Sequence, residues 1–235
     1  MARTMLITGT RKGIGAAMAR HYLDSGYIVC GCSRGKSSIE HSNYRHFELS
    51  ISDEKSVIGM IRAIKGEFGD IDILINNAGI ASMNHILTTP YTMVQNIFGT
   101  NVFGSFLCTR EVAKVMIKSS NKSKRIVNFA TIATPLALEG EAVYAASKAA
   151  IINLTQVLAK ELSRFNITIN AIGPTPMPTD LIKNIPRGKI QDLLDRQAIK
   201  RLGKFSDVTN VIDFFIDEKS DFITGQVLYL GGVNG

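Results

Sequence analysis

Short runs rich in β-branched residues alternate along this chain with longer stretches of helical periodicity, a pattern few architectures accept. The runs fall at residues 4–8, 27–32, 46–49, 71–75, 125–129, 168–171 and 227–230. The helical stretches cover 14–25, 54–68, 91–118, 142–165, 190–197 and 207–217. Such alternation predicts an α/β fold, a parallel sheet with helices on both faces. No linker, charge block or internal repeat divides the chain, and single α/β domains routinely reach 235 residues, so residues 1–235 read as one domain.

The first run, MLIT, leads straight into TGTRKGIG and then a helix. Glycines there permit a tight turn and a close approach of backbone to a pyrophosphate, which meets the free N–H groups and positive end of the helix. A glycine cluster after the first strand and before a helix is the context of a dinucleotide site. The second run ends Cys32-Ser33-Arg34-Gly35 without the acid that would accept bonds from the ribose hydroxyls of NAD. Arg34 can fork onto a 2′-phosphate, with Lys12 as a second cation, so the expected cofactor is NADP(H). Two exposed basic residues in a basic protein are the plain alternative.

Composition narrows the remaining classes. With 45% hydrophobic and 20% charged residues and no low-complexity tract, the chain reads as a soluble globular protein. No apolar run is read as a membrane span. The opening MARTMLITGT is too short for a secretory signal, which makes a cytoplasmic location the default expectation. Cys30, Cys32 and Cys108 read as small buried side chains, and His21, His41, His46 and His85 lack metal-ligand spacing, so no metal site is expected. The formal charge of +7 admits nucleic acid, acidic proteins or phosphorylated ligands as partners. The densest basic cluster, KSSNKSKR at 118–125, has no interleaved aromatic residue and reads as a solvated loop rather than a nucleic-acid module.

Two later stretches bear on chemistry. In EAVYAASKAA, Tyr144 and Lys148 lie four apart, so on a helix their side chains can meet, and an ammonium there would pull the phenol pKa down. In GPTPMPTDLIKNIPR, at 173–187, Pro174, Pro176, Pro178 and Pro186 oppose regular structure at the carboxyl edge of a strand, where open α/β sheets bind ligands. This stretch reads as a substrate lid spanning 174–200, or as a passive surface loop.

Taken in order, TGTRKGIG, NNAG at 76–79, Asn101 in NIFGTNVFG, Tyr144-Ala-Ala-Ser-Lys148 and TGQVLYLGG resemble the short-chain dehydrogenase/reductase family over essentially the whole chain. Within it, RIVNFATIA, YAASKAAIINLTQVLAKEL and ITINAIGPTPMPTDL are most similar to 3-oxoacyl-[acyl-carrier-protein] reductases. The resemblance implies a Rossmann-type, doubly wound, seven-stranded sheet and a homotetramer. It implies Tyr144 as proton donor to a carbonyl and Lys148 as the group that lowers the Tyr144 pKa and binds the nicotinamide ribose. Asn101 would hold a water relaying protons to Lys148; a polar residue at a helix interruption is the alternative. Cofactor contacts would come from Thr8, Gly9, Arg11, Lys12, Gly13, Ile14 and Gly15, then Ser33, Arg34 and Ser50. Asn77, Ala78 and Gly79, with Tyr144, Lys148, Pro174 and Thr179, would complete them. The larger share of the NNAG turn is assigned to bracing the sheet edge.

Four departures from the family pattern stand out. Thr131 occupies the position of the substrate-holding serine, keeping the hydroxyl but adding a methyl. Ser50 replaces an acid that contacts adenine. Thr175 replaces the glycine of a Pro-Gly pair, and Leu230 replaces an aspartate, which bears on the tetramer. They point to a specialised member of the family. Three functions follow as expectations. The first is reduction of a 3-oxoacyl thioester with NADPH, with Lys122, Lys124, Arg125 and Arg164 as a basic surface for an acyl carrier protein or simply as solvated charge. The second is oxidoreduction of another small ketone, sugar or secondary alcohol. The third is a non-catalytic NADP(H)-binding sensor or scaffold.

Overall fold

The computed structural model describes residues 2–178 and 187–234. Seven strands form one parallel sheet: β1 (Thr4–Thr8), β2 (Ile28–Ser33), β3 (Tyr44–Glu48), β4 (Ile73–Asn76), β5 (Lys124–Phe129), β6 (Ile167–Gly173) and β7 (Val227–Tyr229). Their spatial order is β3-β2-β1-β4-β5-β6-β7. The chain therefore builds outward from β1 to β3, then crosses back to lay β4 on the other side of β1. That reversal leaves a crevice beyond the carboxyl ends of β1 and β4, the place where doubly wound sheets bind ligands.

The helices are α1 (Gly13–Asp24), α2 (Glu54–Phe68), α3 (Tyr91–Phe98), α4 (Ser105–Lys118), α5 (Ala133–Leu136), α6 (Ala142–Leu162), α7 (Arg187–Asp195) and α8 (Phe205–Ile216). Successive strand side chains point to opposite faces, so each central strand serves two cores. Leu6 and Leu74 face α2, α4 and the end of α6, whereas Met5, Ile7, Ile73 and Ile75 face α1 and α8. Strands buried on both faces are uninterruptedly apolar, which is why LIT and ILI lack a polar alternation. A full Leu or Ile burial is worth about 1.5–3 kcal/mol, so the central strands contribute strongly to stability.

The stretch 91–118 was expected as one helix. Instead a π-helical turn, Gly99–Gly104, separates α3 from α4. The widened turn carries Asn101, fully buried, toward the sheet crevice. Gly104 permits it, because a Cβ there would stand 2.5 Å from the Ile51 side chain.

Two further expectations change. Ala142–Phe165 is long and apolar enough to cross a membrane by length and composition, which the sequence reading did not find. One of its faces packs on the sheet through Ile151, Thr155, Ala159 and Leu162. Lys124 and Arg125, placed in a basic surface, are buried at the start of β5. Lys124 donates to the Ser119 and Phe165 carbonyls and Arg125 to those of Asp217 and Glu218, so both cations tie the ends of neighbouring helices to the start of β5. They also lie at the amino end of the strand, away from the crevice.

Buried amides stitch the centre of the sheet. Asn76 Nδ2 donates to Asn128 Oδ1 and Thr109 Oγ1, both at 2.9 Å, and Asn128 Nδ2 donates to Thr155 Oγ1 at 2.8 Å. Replacing Asn128 by Leu keeps the volume but strands an Asn76 N–H, which predicts a loss of about 1–3 kcal/mol in denaturant unfolding. An unchanged midpoint would show that this network contributes nothing.

Candidate active site

The crevice begins with a clasp between two turns. The Thr8 hydroxyl, at the end of β1, accepts the backbone N–H groups of Asn77 and Ala78 at 3.1 and 2.9 Å. The Asn77 side-chain amide returns to the Thr8 carbonyl at 2.9 Å. These turns lie so close that side chains are excluded. Gly9, at φ +80°, would bring a Cβ within 2.9 Å of the Ala78 backbone, and a Cβ on Gly15 would stand 2.2 Å from the Gly9 carbonyl oxygen. Thr8 is thus buried beneath the site rather than lining it, and the bracing role given to the NNAG turn is the one these bonds describe.

Beyond the clasp lies a groove of about 780 Å³. Gly9, Arg11, Lys12, Gly13, Ile14 and Gly15 form one wall, Ser33, Arg34 and Ser50 the next, and Asn77, Ala78 and Gly79 the third. The first turn of α1 carries no acid and opens into this groove, so its backbone N–H groups and dipole favour an anion. The Cβ-free cradle at Gly9 and Gly15 beside that helix end suits the pyrophosphate of a dinucleotide. Arg11 joins the cationic end, its guanidinium lying against Gly35 where a Cβ would be 3.2 Å from Nη1. Ser50 lines the groove, its hydroxyl 2.8 Å from that of Ser52.

A second cavity of about 310 Å³ adjoins the groove, with Ile14, Asn77, Gly79, Ile80 and Ala81 common to both. Tyr144, Lys148, Thr131 and Pro174 line it. The Thr131 hydroxyl neighbours the Tyr144 phenol and favours its ionised form. Thr131 Oγ1 also accepts the Ala133 N–H at 3.2 Å, which fixes its rotamer. Lys148 Nζ donates to the Phe129 carbonyl at 2.7 Å, tying α6 to the end of β5.

Burial moves the two titratable groups in opposite directions, each toward its neutral form. It pushes the Tyr144 phenol up to about 12, the Thr131 hydroxyl opposing and the Glu141 charge adding to the rise. It draws the Lys148 ammonium down to about 8. A depression of the Tyr144 pKa by Lys148 was expected; burial dominates instead, and the ammonium is directed to the Phe129 carbonyl.

Asn101 stands behind the site as a clamp. Its Oδ1 accepts the Ile80 N–H at 2.9 Å, while its Nδ2 donates to the Ile80 carbonyl at 2.9 Å and to Ser147 Oγ at 3.0 Å. Gly79 fits between Asn101 and Lys148, since a Cβ there would be 3.3 Å from Asn101 Oδ1 and 3.5 Å from Lys148 Nζ. Thr175 donates to Gln197 Oε1 at 2.5 Å and lies outside the left-handed backbone region, so the missing glycine costs no strain. Leu230 packs on the core beside α8, its N–H bonded to the Gly173 carbonyl at 3.0 Å. Thr179 and residues 180–186 of the lid segment lie outside the described residues.

Sequence reasoning gave no role to the charged side chains of the cavity wall, Glu139, Glu141, Lys189, Asp192 and Arg196, although the last three fall within the expected lid 174–200. Glu141 had a local signal, since it precedes Tyr144 by one helical turn. Burial raises its pKa, with Lys189 opposing. His46, set aside as a non-ligand, also proves to be engaged near the groove.

A parallel doubly wound sheet, a glycine-cradled groove and a phenol facing an adjoining cavity define a nucleotide-dependent oxidoreductase acting on CH–OH or C=O groups. Residues 9–234 match a family model described as enoyl-(acyl carrier protein) reductase, and the chain belongs to the short-chain dehydrogenase/reductase family. It is 28% identical to the 3-oxoacyl-[acyl-carrier-protein] reductase of Staphylococcus epidermidis, over 99% of this chain and 98% of that one. It is 33% identical to the (2S)-[(R)-hydroxy(phenyl)methyl]succinyl-CoA dehydrogenase subunit BbsD of Thauera aromatica, covering 98% and 95%. Among solved structures, ElxO with NADP bound matches with a TM-score of 0.88 at 33% identity, covering 98% of this chain and 97% of that one. The ligand-free aldohexose dehydrogenase of Thermoplasma acidophilum has a TM-score of 0.88 at 27% identity, covering 99% and 94%. The 3-ketoacyl-(acyl-carrier-protein) reductase of Brucella melitensis complexed with NADH has a TM-score of 0.89 at 27% identity, covering 97% and 96%.

The burial of Lys148 predicts one lysine that loses its proton near pH 8 in carbon-13 NMR of labelled protein, absent from Lys148→Arg. The unfolded chain holds that proton up to about 10.5, so over this window the group adds stability as pH rises. A spectrum in which every lysine titrates at the ordinary value would contradict the assigned environment.

Proposed function

We propose that the protein is an NADPH-dependent reductase of 3-oxoacyl thioesters, with Tyr144 as the proton donor. The observation that carries this reading is the pairing of Tyr144 and Thr131 on the wall of a cavity that adjoins the nucleotide groove. When bound, the dinucleotide supplies the hydride. Thr131 holds the substrate oxygen beside the phenol, and Tyr144, kept as a neutral phenol, gives its proton where negative charge develops. Lys148 contributes a cation beside the nicotinamide ribose, and its ammonium, with its pKa drawn down to about 8, returns a proton to Tyr144 after the phenol has given its own to the substrate oxygen. Asn101 keeps Ile80 and Ser147 in register and supports the proton path behind Lys148.

Arg11, Lys12 and Arg34 around a β2 end without an acid favour NADP(H) over NAD(H). The apolar wall of Met83, Leu138, Met177, Ile190 and Leu193 suits an acyl chain, and two relatives are named for acyl-carrier or CoA thioesters. Exposed Phe103, Phe106 and Val157 support self-association, in keeping with the expected homotetramer. With Lys124 and Arg125 buried, an acyl carrier protein would have to be met by other cations, of which Lys189 and Arg196 stand on the cavity wall.

One observation favours a second reading, oxidation of a sugar or another small hydroxylated substrate. Glu141 places a partly buried carboxylate on the cavity wall, where it can accept bonds from hydroxyl groups, and a sugar dehydrogenase is among the structural relatives.

Steady-state assays with acetoacetyl-CoA and NADPH, beside an aldohexose with NADP⁺ and an NADH control, separate the two. Turnover of acetoacetyl-CoA with NADPH preferred is expected, with Tyr144→Phe slowed about 10²–10⁴-fold. Thr131→Ser should retain activity, and Thr131→Val should lose most of it. Turnover of the aldohexose alone, or an inactive Thr131→Ser beside an active wild type, would overturn the thioester account.

A further inference from the structure

The face of the groove where Arg34 emerges is underlain by a chain of polar contacts that none of the roles above uses. Tyr44 and His46 lie on β3, two residues apart and so on one face of the sheet. The Tyr44 hydroxyl is hydrogen-bonded to Thr10 Oγ1 at 2.9 Å and to His46 Nδ1 at 3.0 Å. His46 Nε2 lies 2.9 Å from the Gly35 carbonyl and 3.2 Å from Ser33 Oγ. A carbonyl only accepts, so Nε2 carries a hydrogen and donates to it. Ser33 Oγ donates to the same carbonyl at 2.7 Å.

The two ends of this chain matter. Thr10, fully buried, belongs to the glycine turn that carries Arg11 and Lys12. Ser33, Gly35 and Ser37 bracket Arg34 in the loop after β2. Two loops from different strands are thus held at a fixed separation through β3. Gly31 shows how tightly, because a Cβ there would lie 2.3 Å from both Thr10 Oγ1 and the Tyr44 hydroxyl oxygen. No side chain at 31 is compatible with the Tyr44–Thr10 bond.

We propose that His46 and Tyr44 are positioning residues for cofactor choice: through Thr10 and Gly35 they set the spacing of Arg11 and Lys12 against Arg34, and so the recognition of a ribose 2′-phosphate. The inference rests on the NADP(H) reading but adds residues that do not themselves line the groove. Guanidinium forks discriminate by geometry, so a shifted loop weakens the phosphate contact while leaving the rest of the nucleotide site intact.

The test is calorimetric binding of adenosine 2′,5′-bisphosphate and of 5′-AMP, whose affinity ratio isolates the 2′-phosphate and needs no turnover. Wild type is expected to prefer the bisphosphate. His46→Leu and Tyr44→Phe should lower that ratio about 10-fold, the size of a lost supporting hydrogen bond or two, with 5′-AMP binding unchanged. His46→Gln, whose amide can still donate to the Gly35 carbonyl, should recover part of it. Thermal unfolding reports whether each variant is folded, and Tyr44→Phe, which keeps its ring, carries the test if His46→Leu does not fold. A wild-type preference that survives in folded His46→Leu or Tyr44→Phe overturns the proposal and leaves the NADP(H) reading standing. Both ligands weakening together would reduce these residues to general support and overturn it as well. A wild type without preference removes the NADP(H) reading and the proposal with it.

Discussion

One hydroxyl, that of Thr8, takes two backbone amides from the opposite side of the sheet's switch point. Strands β1 and β4 run parallel but continue into unrelated loops, and nothing in the sheet ladder itself holds those loops together. The Thr8 clasp does so, and the Asn77 amide closes it from the other side. Both turns then sit too close for side chains at Gly9 and Gly15, which is what leaves a bare backbone surface for a nucleotide. The same turn continues to Gly79, whose missing side chain leaves room between Asn101 and Lys148. Phosphate cradle and reactive lysine are therefore consecutive parts of one packed run.

Electrostatics at the second cavity follow from burial more than from pairing. A desolvated phenol resists ionisation and a desolvated amine gives up its proton more readily, so Tyr144 and Lys148 move apart in affinity for a proton, the phenol to about 12 and the amine to about 8. A donor that stays protonated, beside an ammonium acidic enough to reprotonate it, suits a reaction in which an oxygen gains charge and a proton together. Thr131 shares the cavity wall with the phenol, and its extra methyl occupies space that a serine would leave free.

Much of this architecture was legible locally. Strands buried on both faces announce themselves as apolar runs, and every expected strand is present with its ends shifted by no more than two residues in either direction. The glycine turn, NNAG and Tyr144/Lys148 fell into one crevice because each directly follows a central strand or lines a helix packed against one. What was not legible depended on contacts distant in sequence. The π-turn at Asn101 is set by bonds to Ile80 and Ser147, and periodicity within 91–118 carries no trace of them. Lys124 and Arg125 look like surface charge until carbonyls from Phe165 and Asp217 close over them. His46 has no ligand spacing because its partners are a carbonyl and a phenol, and Glu141 was hidden inside a motif read for its tyrosine.

The claim on which the chemistry turns is that burial, not the neighbouring ammonium, governs the Tyr144 proton. Ultraviolet difference titration of the free protein, with Tyr144→Phe subtracted, measures it directly. The account predicts that Tyr144 remains a phenol past the ordinary tyrosine value of 10 and that Thr131→Val, by removing the hydroxyl that favours ionisation, moves it higher still. Ionisation of Tyr144 well below 10 would contradict the account and return control of the proton to Lys148.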